Sequence, residues 1–246
     1  ACPPGYYCWE GTETADANAE GVFKPIACPE AVYCLGGITN NITNEDNYRS
    51  PQPCPLGQFC KEASTSPFGS GRCPAGFFCP KGTSDPHPAP AGYFCRGEGN
   101  SQAAPCLPNT WAKYNPLNGS DSCSFCPGGH SCEREGTVEP LPCLPGTFRQ
   151  FNDTIACQLC PEGSWNPYYA NPLEALCLPC PEGRVCAFKG MTNITTQSEP
   201  CPPAHICTYN TTSGGKFLWK CPPGKWCDQE TRPLHLECAG GEIIQA

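Results

Sequence analysis

The stretch CPAGFFCPKGTSDPHPAPAGYFC, residues 73–95, contains one phrase twice. The first copy is CPAGFFC (73–79), with a cysteine at each end. The second is APAGYFC (89–95), in which Ala89 stands where the first copy has Cys73. A phrase that depends on two cysteines and then loses one of them raises the question of which cysteines bond to each other.

The same phrase, Cys-Pro-x-Gly-x-aromatic-Cys, recurs along the whole chain. Repetition at this density predicts a repeat protein whose small units stack on their neighbours. The full-length copies are CPPGYYC (2–8), CPEAVYC (28–34), CPLGQFC (54–60), CPAGFFC (73–79), APAGYFC (89–95), CPGGHSC (126–132), CPEGRVC (180–186), CPPAHIC (201–207) and CPPGKWC (221–227). Three open copies lack the closing cysteine: CLPNTW, CLPGTF and CPEGSW, beginning at residues 106, 143 and 160.

The composition is typical of a disulfide scaffold. The chain has 246 residues, of which 24 are cysteine, 31 proline and 26 glycine. Leucine, isoleucine and valine form no helical or alternating run of useful length, so covalent bonds must replace a core. We therefore predict small disulfide-rich repeats that form an elongated rod of short β-strands, turns and irregular loops. We expect little helix, with one helical turn at 15–20, and no large hydrophobic core.

Each position of the phrase has a local physical reason. Proline after the opening cysteine suits the second position of a type I turn, and glycine suits the chain's exit from that turn. The aromatic residue then lies beside the sulfur atoms, where it packs on a disulfide. A unit of this size is too small to be stable alone, so it must pack on its neighbours.

Cysteine spacing divides the chain into three regions of one continuous rod. Residues 1–105 and 180–246 contain C-x5-C repeats. Residues 106–179 contain long loops that end at C-x2-C pairs. We find no Pro- or Ser-rich linker between these regions.

The missing cysteine at position 89 favours a staggered pairing of the first repeats. If every C-x5-C pair were its own disulfide, Cys95 would remain a free thiol, so we expect closing cysteines to bond forward to the next opening cysteine. The predicted forward bonds are Cys8–Cys28, Cys34–Cys54, Cys60–Cys73, Cys79–Cys95, Cys106–Cys123, Cys143–Cys157 and Cys160–Cys177. The predicted local bonds are Cys126–Cys132, Cys180–Cys186, Cys201–Cys207 and Cys221–Cys227.

This scheme leaves Cys2 and Cys238 without partners. They could bond to units beyond this segment, to cysteines of adjacent protomers, or to partners that the scheme misassigns, since sequence does not determine connectivity.

Cysteine usage and sequons indicate an extracellular or cell-surface protein. Disulfides at this density persist in oxidising compartments. No apolar run is long enough for a membrane span, and the net charge of −8 argues against a nucleic-acid partner. Five Asn-x-Ser/Thr sequons predict N-glycosylation at Asn41, Asn118, Asn152, Asn193 and Asn210.

Residue patterns for catalysis or cofactor binding are missing from the sequence. The C-x2-C pairs have zinc-ligand spacing, but their oxidising, proline-rich context favours disulfides. His87, His130, His205 and His235 follow no ligand spacing, which favours ordinary surface histidines. The acidic segment 44–47 could hold calcium, although a solvated loop is the simpler reading. We expect no enzyme, no metal and no cofactor.

Three aromatic residues outside the repeat position are candidates for an interface. These are Tyr168, Tyr169 and Trp219. Packing on a neighbouring disulfide is an equally good explanation of each ring.

The open copies resemble the ephrin-receptor-like cysteine-rich repeats. The segments that carry the resemblance are CLPGTFRQFNDTIACQLCPEG (143–163) and CLPNTW (106–111) with CSFCPGG (123–129). Long arrays of this kind are similar to the mastigoneme-type proteins of algae and protists, which implies extracellular fibre formation and heavy glycosylation. The C-x5-C closures within 1–79 and 180–227 depart from the family pattern.

Together these features favour a structural function. We expect a protomer of an extracellular glycoprotein fibre or surface coat, whose copies associate head to tail and carry covalent glycans. The alternative is a ligand-binding or adhesion ectodomain of a cell-surface receptor, which would be a stable monomer.

Overall fold

A computed structural model describes residues 2–8, 11–20, 22–37, 50–153, 155–223 and 227. These residues form short antiparallel β-hairpins closed by disulfides, with very little helix, as the repeat phrase predicts. The chain divides into two compact units. The first comprises Ala1–Ser124 and Arg134–Glu139, and the second Phe125–Glu133 and Pro140–Ala246. The three regions expected from cysteine spacing and the elongated rod stay predictions.

Most strands are two residues long and pair with the next strand along the chain. In the first unit the pairs are Tyr6–Tyr7 with Ile26–Ala27 (β1, β2), Val32–Tyr33 with Gln52–Pro53 (β3, β4), Gln58–Phe59 with Gly71–Arg72 (β5, β6), Phe77–Phe78 with His87–Pro88 (β7, β8) and Tyr93–Phe94 with Ala104–Pro105 (β9, β10). Thr110–Trp111 (β11) and Ser124–Phe125 (β12) follow. In the second unit they are His130–Ser131 with Leu141–Pro142 (β13, β14), Thr147–Phe148 with Gln158–Leu159 (β15, β16), Ser164–Trp165 with Leu178–Pro179 (β17, β18), Arg184–Val185 with Glu199–Pro200 (β19, β20) and His205–Cys207 with Leu218–Lys220 (β21, β22).

In the described residues, helix is limited to a 3₁₀ turn at Glu174–Leu176 and one α-helical turn, α1, at Ile194–Gln197. The helical turn predicted at 15–20 is wrong. There the Asp16 carboxylate accepts the Asn18 N–H at 2.9 Å, and the Ala19 N–H bonds to the Asp16 carbonyl at 3.2 Å. A side chain that bonds its own backbone in this way favours a turn over a helix.

The turn in each repeat begins one residue later than predicted. The Tyr6 N–H donates to the Pro3 carbonyl at 3.3 Å, so Gly5 occupies the third turn position, with a φ of 82°. A positive φ at this position is the mark of a type II turn rather than type I, and it explains the glycine. We call the fourth residue of each copy its turn residue. Every described turn residue has a positive φ: Gly5, Ala31, Gly57, Gly76, Gly92, Asn109, Gly129, Gly146, Gly163, Gly183 and Ala204.

A second residue with positive φ lies in the loop after each repeat, and we call it the tip residue. The described tip residues are Gly37, Ala63, Gly82, Gly99, Gly119, Gly136, Asn152, Ala170, Gly190 and Asn210. Most of them are glycine or asparagine, the residue types that adopt this conformation at least cost.

In the described residues, most successive repeats are joined by four backbone hydrogen bonds that use these positions. The repeats at 89–95 and 106–112 share three, because the Gly119 N–H donates to the Asn115 carbonyl instead. For the repeats at 54–60 and 73–79, the Cys73 N–H donates to the Gly57 carbonyl and the Gly57 N–H to the Cys79 carbonyl, both at 2.9 Å. The Cys60 N–H donates to the Thr83 carbonyl at 2.9 Å, and the Gly82 N–H to the Cys54 carbonyl at 2.7 Å. The repeats at 160–166 and 180–186 make the same four bonds at 2.7 to 3.0 Å. None of these bonds involves a side chain.

Turn residues also lie against the tip two repeats further on. A Cβ atom added to Gly57 would lie 2.3 Å from the Gly99 carbonyl oxygen, and one added to Gly146 would lie 2.2 Å from the Gly190 carbonyl oxygen. Real Cβ atoms do not approach an oxygen so closely. The positive φ favours glycine at Gly57 and Gly146, and the neighbouring backbone leaves no room there for a Cβ atom.

The disulfides correct the staggered scheme. In the first unit each complete C-x5-C copy closes on itself, as Cys2–Cys8, Cys28–Cys34, Cys54–Cys60 and Cys73–Cys79. The predicted bonds Cys8–Cys28, Cys34–Cys54, Cys60–Cys73 and Cys79–Cys95 are therefore wrong. The two ends of the phrase are held 5.8 to 6.0 Å apart between Cα atoms in these copies, which suits a local disulfide.

The predicted bonds of the later repeats are present. They are Cys106–Cys123, Cys126–Cys132, Cys143–Cys157, Cys160–Cys177, Cys180–Cys186, Cys201–Cys207 and Cys221–Cys227. An opening cysteine thus bonds forward only where its own repeat has no closing cysteine. Cys238 lies outside the described residues.

Cys95 is a buried free thiol, and Ala89 opposite it is fully buried. The repeat at 89–95 nevertheless makes the same backbone bonds: the Ala89 N–H donates to the Gly76 carbonyl at 2.9 Å and the Gly76 N–H to the Cys95 carbonyl at 2.8 Å. Position 89 contributes its backbone N–H to the stack, and alanine does this as well as cysteine. This explains how the phrase can lose one cysteine and keep its place.

The open repeats replace the closing cysteine with another buried residue. Ala112, Arg149 and Asn166 hold this position, with exposed fractions of 5%, 0% and 1%. The Asn166 amide donates to the Thr147 and Tyr168 carbonyls at 3.1 and 3.0 Å and accepts the Tyr168 N–H at 3.0 Å. At position 166, hydrogen bonds thus take the place of the local disulfide.

A hydroxyl after the turn residue also distinguishes the open repeats. This hydroxyl donates to the carbonyl three residues earlier, at 2.6 to 2.7 Å. The pairs are Thr110 with Leu107, Thr147 with Leu144 and Ser164 with Pro161. The bond reinforces the turn in the repeats that have no disulfide of their own across it.

Buried apolar surface consists mainly of half-cystines, and no large core forms among the described residues. The aromatic residue packs on the disulfide of the following repeat. Tyr7 packs on Cys28 and Cys34, and Trp165 on Cys180 and Cys186. Each ring therefore joins two repeats.

Candidate functional site

The structure gives the predicted titratable residues ordinary partners. His130 and His205 bond through Nδ1 to the Gly128 and Pro203 carbonyls at 3.1 and 2.9 Å, and His87 packs on Phe78. Every cysteine of the three C-x2-C pairs is in a disulfide, so these pairs offer no thiolate to zinc. Within the described residues, no group of three or more His, Cys, Asp or Glu could hold a metal ion. His235 and the segment 44–47 lie outside them.

Arg149 is the one fully buried charged side chain in the part of the chain that the structure describes. Its Nη1 donates to the Pro127 carbonyl at 3.1 Å. Burial lowers the pKa of the guanidinium, and the negative charge of Asp153 acts in the opposite direction. Arg149 replaces a closing cysteine. We therefore assign it a structural role, in the packing of neighbouring repeats.

The described sequons lie on exposed loops. Asn118, Asn152, Asn193 and Asn210 are all exposed. Asn152 and Asn210 are tip residues, and Asn118 directly precedes the tip residue Gly119. Asn193 is the N-cap of helix α1, and its Oδ1 accepts the Thr195 N–H at 2.8 Å, which leaves its amide nitrogen free of that bond. The sequon at Asn41 lies outside the described residues.

The predicted interface aromatics are exposed. Tyr168, Tyr169 and Trp219 have exposed fractions of 65%, 63% and 61%. Asn166 holds the backbone of Tyr168, so this pair of rings projects from a rigid loop. Packing on a disulfide, the alternative reading, does not explain rings that are this exposed. A role in an interface stays a prediction.

Sequence reasoning missed that aromatic residues recur just before the tip residues of the second unit. Phe151, Tyr168, Tyr169, Phe188 and Tyr209, which we call the tip aromatics, have exposed fractions between 56% and 65%. In the first unit the residue directly before the tip is never aromatic. It is charged and exposed in four loops (Glu62, Lys81, Glu98 and Glu135), and it is Gly36 or Asn118 in the other two. Aligning the loops on their tip residues, rather than on their cysteines, would have revealed this difference.

An open groove of about 660 Å³ lies within the second unit. One wall is the loop that ends in the 3₁₀ turn, including Glu174, and the other is the loop 208–217, including Lys216 and Phe217. Gln150, Glu162 and the sequon residues Asn210 and Thr212 also line the groove. No local sequence pattern predicts this groove, because its walls belong to repeats that are not adjacent in sequence.

Two contacts hold the sequon at the rim of this groove. A Cβ atom on Gly163 would lie 2.5 Å from the Asn210 carbonyl oxygen, so the absence of a side chain lets the two backbones meet. Thr211 is fully buried, and its hydroxyl contacts the Thr208 and Phe217 carbonyls at 2.6 and 3.1 Å. Asn210 and Phe217 are therefore held in one rigid loop.

The longest helical segment in the described residues is too short to cross a membrane. Comparison with known proteins gives no family: no family model matches the chain, and no curated protein matches it.

Proposed function

We propose that the chain is a structural protomer of an extracellular, N-glycosylated fibre or surface coat, assembled by head-to-tail association of its repeats. The observation that carries this proposal is the set of four backbone hydrogen bonds shared by successive repeats. Because these bonds depend on no side chain, any repeat of this type presents a docking face that the next can use.

Stacking of this kind is directional. A repeat donates and accepts through different atoms on its two sides, so that two copies meet head to tail rather than face to face. Head-to-tail contacts that do not close into a ring generate open filaments. The same rule that joins repeats within a chain thus supports joining repeats of different chains.

The disulfides support an extracellular setting for this assembly. Eleven disulfides are present among the described residues, a density that is typical of oxidising compartments. We propose secretion and glycosylation at the exposed sequons. Bulky glycans on the loops would keep the edges of the short hairpins from uncontrolled lateral pairing. The resemblance to mastigoneme-type fibre proteins agrees with this function.

Electron microscopy of the native, unreduced glycoprotein tests the proposal. We expect filaments with a constant axial repeat, because every joint uses the same backbone bonds. A reduced and alkylated sample is the matched control and should form none, since the repeats then lose their staples. Dispersed single particles at all concentrations would contradict the proposal.

The tip aromatics favour a second candidate function, a binding or adhesion ectodomain. Exposed aromatic rings on rigid loops are frequent anchors of protein interfaces. This function predicts a stable monomer whose partner contacts the second unit. Size-exclusion chromatography with light scattering distinguishes the two functions, because a constant monomer mass favours the ectodomain.

A further inference from the structure

We propose that the groove of the second unit holds the first sugars of the N-glycan attached to Asn210. The inference rests on the proposed N-glycosylation and adds a defined site for one glycan. Asn210 and Thr212, the acceptor and the hydroxyl residue of one sequon, both line the groove. The attachment point therefore lies at the site itself.

The lining fits a carbohydrate. Within the described residues, no hydrogen bond or ion pair engages the side chains of Gln150, Glu162 or Glu174, and all three line the groove. Their oxygen atoms are free acceptors for sugar hydroxyl groups, which are donors. Each N-acetylglucosamine of the glycan core offers these acceptors the hydroxyls on C3 and C6 and its acetamide N–H.

Phe217 supplies the apolar part of the site. It lines the groove with an exposed fraction of 41%, and the Lys216 Nζ lies 5.4 Å from its ring centre. The negative face of an aromatic ring attracts the weakly positive C–H groups on one side of a sugar. A ring bordered by free oxygen acceptors is the combination that orients a saccharide.

The charges favour a neutral sugar. Glu162 and Glu174 contribute two negative charges and Lys216 one positive charge, so the lining is net negative. Repulsion disfavours phosphorylated or sialylated sugars here. The N-acetylglucosamine units that begin an N-glycan are neutral, and their acetamide N–H is a further donor.

Tethering makes weak contacts sufficient. A short covalent linker gives its ligand an effective concentration of about 1 mM or more at a site that it can reach. Thr211 and Gly163 fix Asn210 at the rim, so little freedom is lost when the sugar docks. The groove need not bind free sugar tightly to hold its own glycan.

Release of glycans from the folded, secreted glycoprotein by peptide-N-glycosidase tests this inference, with rates measured for each site by mass spectrometry. Asn193 is the internal control, because it is exposed and does not line the groove. We expect release from Asn210 to be about tenfold slower than from Asn193, since docking protects the bond. After denaturation the two rates should be equal.

Three variants separate docking from simple crowding. Phe217→Ala should raise the release rate at Asn210 to that at Asn193. Phe188→Ala removes an exposed ring that does not line the groove and should change neither rate. The double variant Glu162→Ala/Glu174→Ala, on exposed side chains, should act like Phe217→Ala without endangering the fold.

Three results would overturn the inference. Equal release from Asn210 and Asn193 in the folded protein would reject docking while leaving glycosylation intact. An Asn210 without glycan would reject both docking and N-glycosylation at this site. Binding of free N,N′-diacetylchitobiose by Asn210→Gln with a Kd well below ~1 mM would assign the groove to a glycan from another molecule.

Discussion

The repeats at 54–60 and 160–166 make the same connections to their successors but are closed by different chemistry. Gly57 and Gly163 donate to and accept from the next repeat at 2.7 to 3.0 Å. The first repeat is closed by Cys54–Cys60, whereas the second has Asn166 at its closing position and bonds Cys160 forward to Cys177. The comparison shows that the two kinds of repeat share the same backbone contacts and differ in their disulfide pattern.

If both kinds of repeat depend on the same backbone contacts, substituting a turn glycine should lower the free energy of unfolding equally in each. We expect Gly57→Ala in a closed repeat and Gly146→Ala in an open one each to destabilise the protein by about 4 kcal/mol, the sum of left-handed strain and a backbone clash. The measurement is urea unfolding followed by hydrogen exchange, which reports on each unit separately.

The controls for these variants are Gly97→Ala and Gly215→Ala, one in each unit. Both glycines have a positive φ, but an added Cβ atom would meet nothing within 4 Å. We expect a loss of about 1 kcal/mol from strain alone. Equal losses of stability in the variants and the controls would contradict a backbone clash at Gly57 and Gly146.

Removing a disulfide should destabilise the two kinds of repeat by different amounts. Cys160→Ala/Cys177→Ala opens a loop with a sequence separation of 17, and Cys54→Ala/Cys60→Ala opens one with a separation of 6. From loop-closure entropy we expect losses of about 3 and about 2 kcal/mol respectively. Urea midpoints of the oxidised variants measure the difference. A larger loss in the closed repeat would show that local packing of sulfur outweighs loop closure.

The hydrogen bonds of Asn166 should be worth nearly as much as a disulfide. Asn166→Ala leaves two carbonyls and one N–H without this partner, so we expect a loss of about 2 kcal/mol. Asn100→Ala is the control, because its side chain makes a single bond to the Gly97 carbonyl at 2.8 Å and is partly exposed. Thermal unfolding compares them. If Asn166→Ala is no less stable than Asn100→Ala, the hydrogen bonds of Asn166 do not replace the missing disulfide.

The smallest effect concerns the incomplete repeat. Ala89→Cys should form a bond to Cys95 and stabilise the protein by about 1 kcal/mol, less than the usual gain because Ala89 already packs well. In the unaltered protein, burial raises the pKa of the Cys95 thiol, so alkylation should require unfolding. Peptide mapping without reduction should recover positions 89 and 95 together. An alkylatable Cys95 in the unfolded, unreduced variant would contradict the geometry.

The repeat and most of its chemistry were readable from the sequence, but the disulfides of the first unit were not. The alanine at 89 favours forward pairing, because local pairing leaves Cys95 as a free extracellular thiol. The structure tolerates Cys95 since its backbone still makes the shared bonds. The staggered scheme is wrong because it assumes that Cys95 must be paired. It also neglects the turn, whose geometry brings both ends of a C-x5-C copy together.

The candidate site was only partly predictable for a similar reason. The sequon at Asn210 followed from the sequence. The exposure of Tyr168 did not, because packing on a disulfide explained its ring equally well. The groove did not, because Glu162, Glu174 and Phe217 meet only when repeats two places apart are stacked. Contacts of this range depend on the angle between repeats, which no single repeat encodes.

The sequence by itself determined the class of this protein: a cysteine-rich repeat array whose local turns need glycine and proline. It did so because turn geometry and disulfide spacing are local properties. The tertiary structure alone decided how the repeats connect, which residue substitutes for a missing cysteine, and where Asn210 lies relative to Phe217. These depend on backbone groups of different repeats meeting at hydrogen-bond distance, and backbone groups are identical in every sequence.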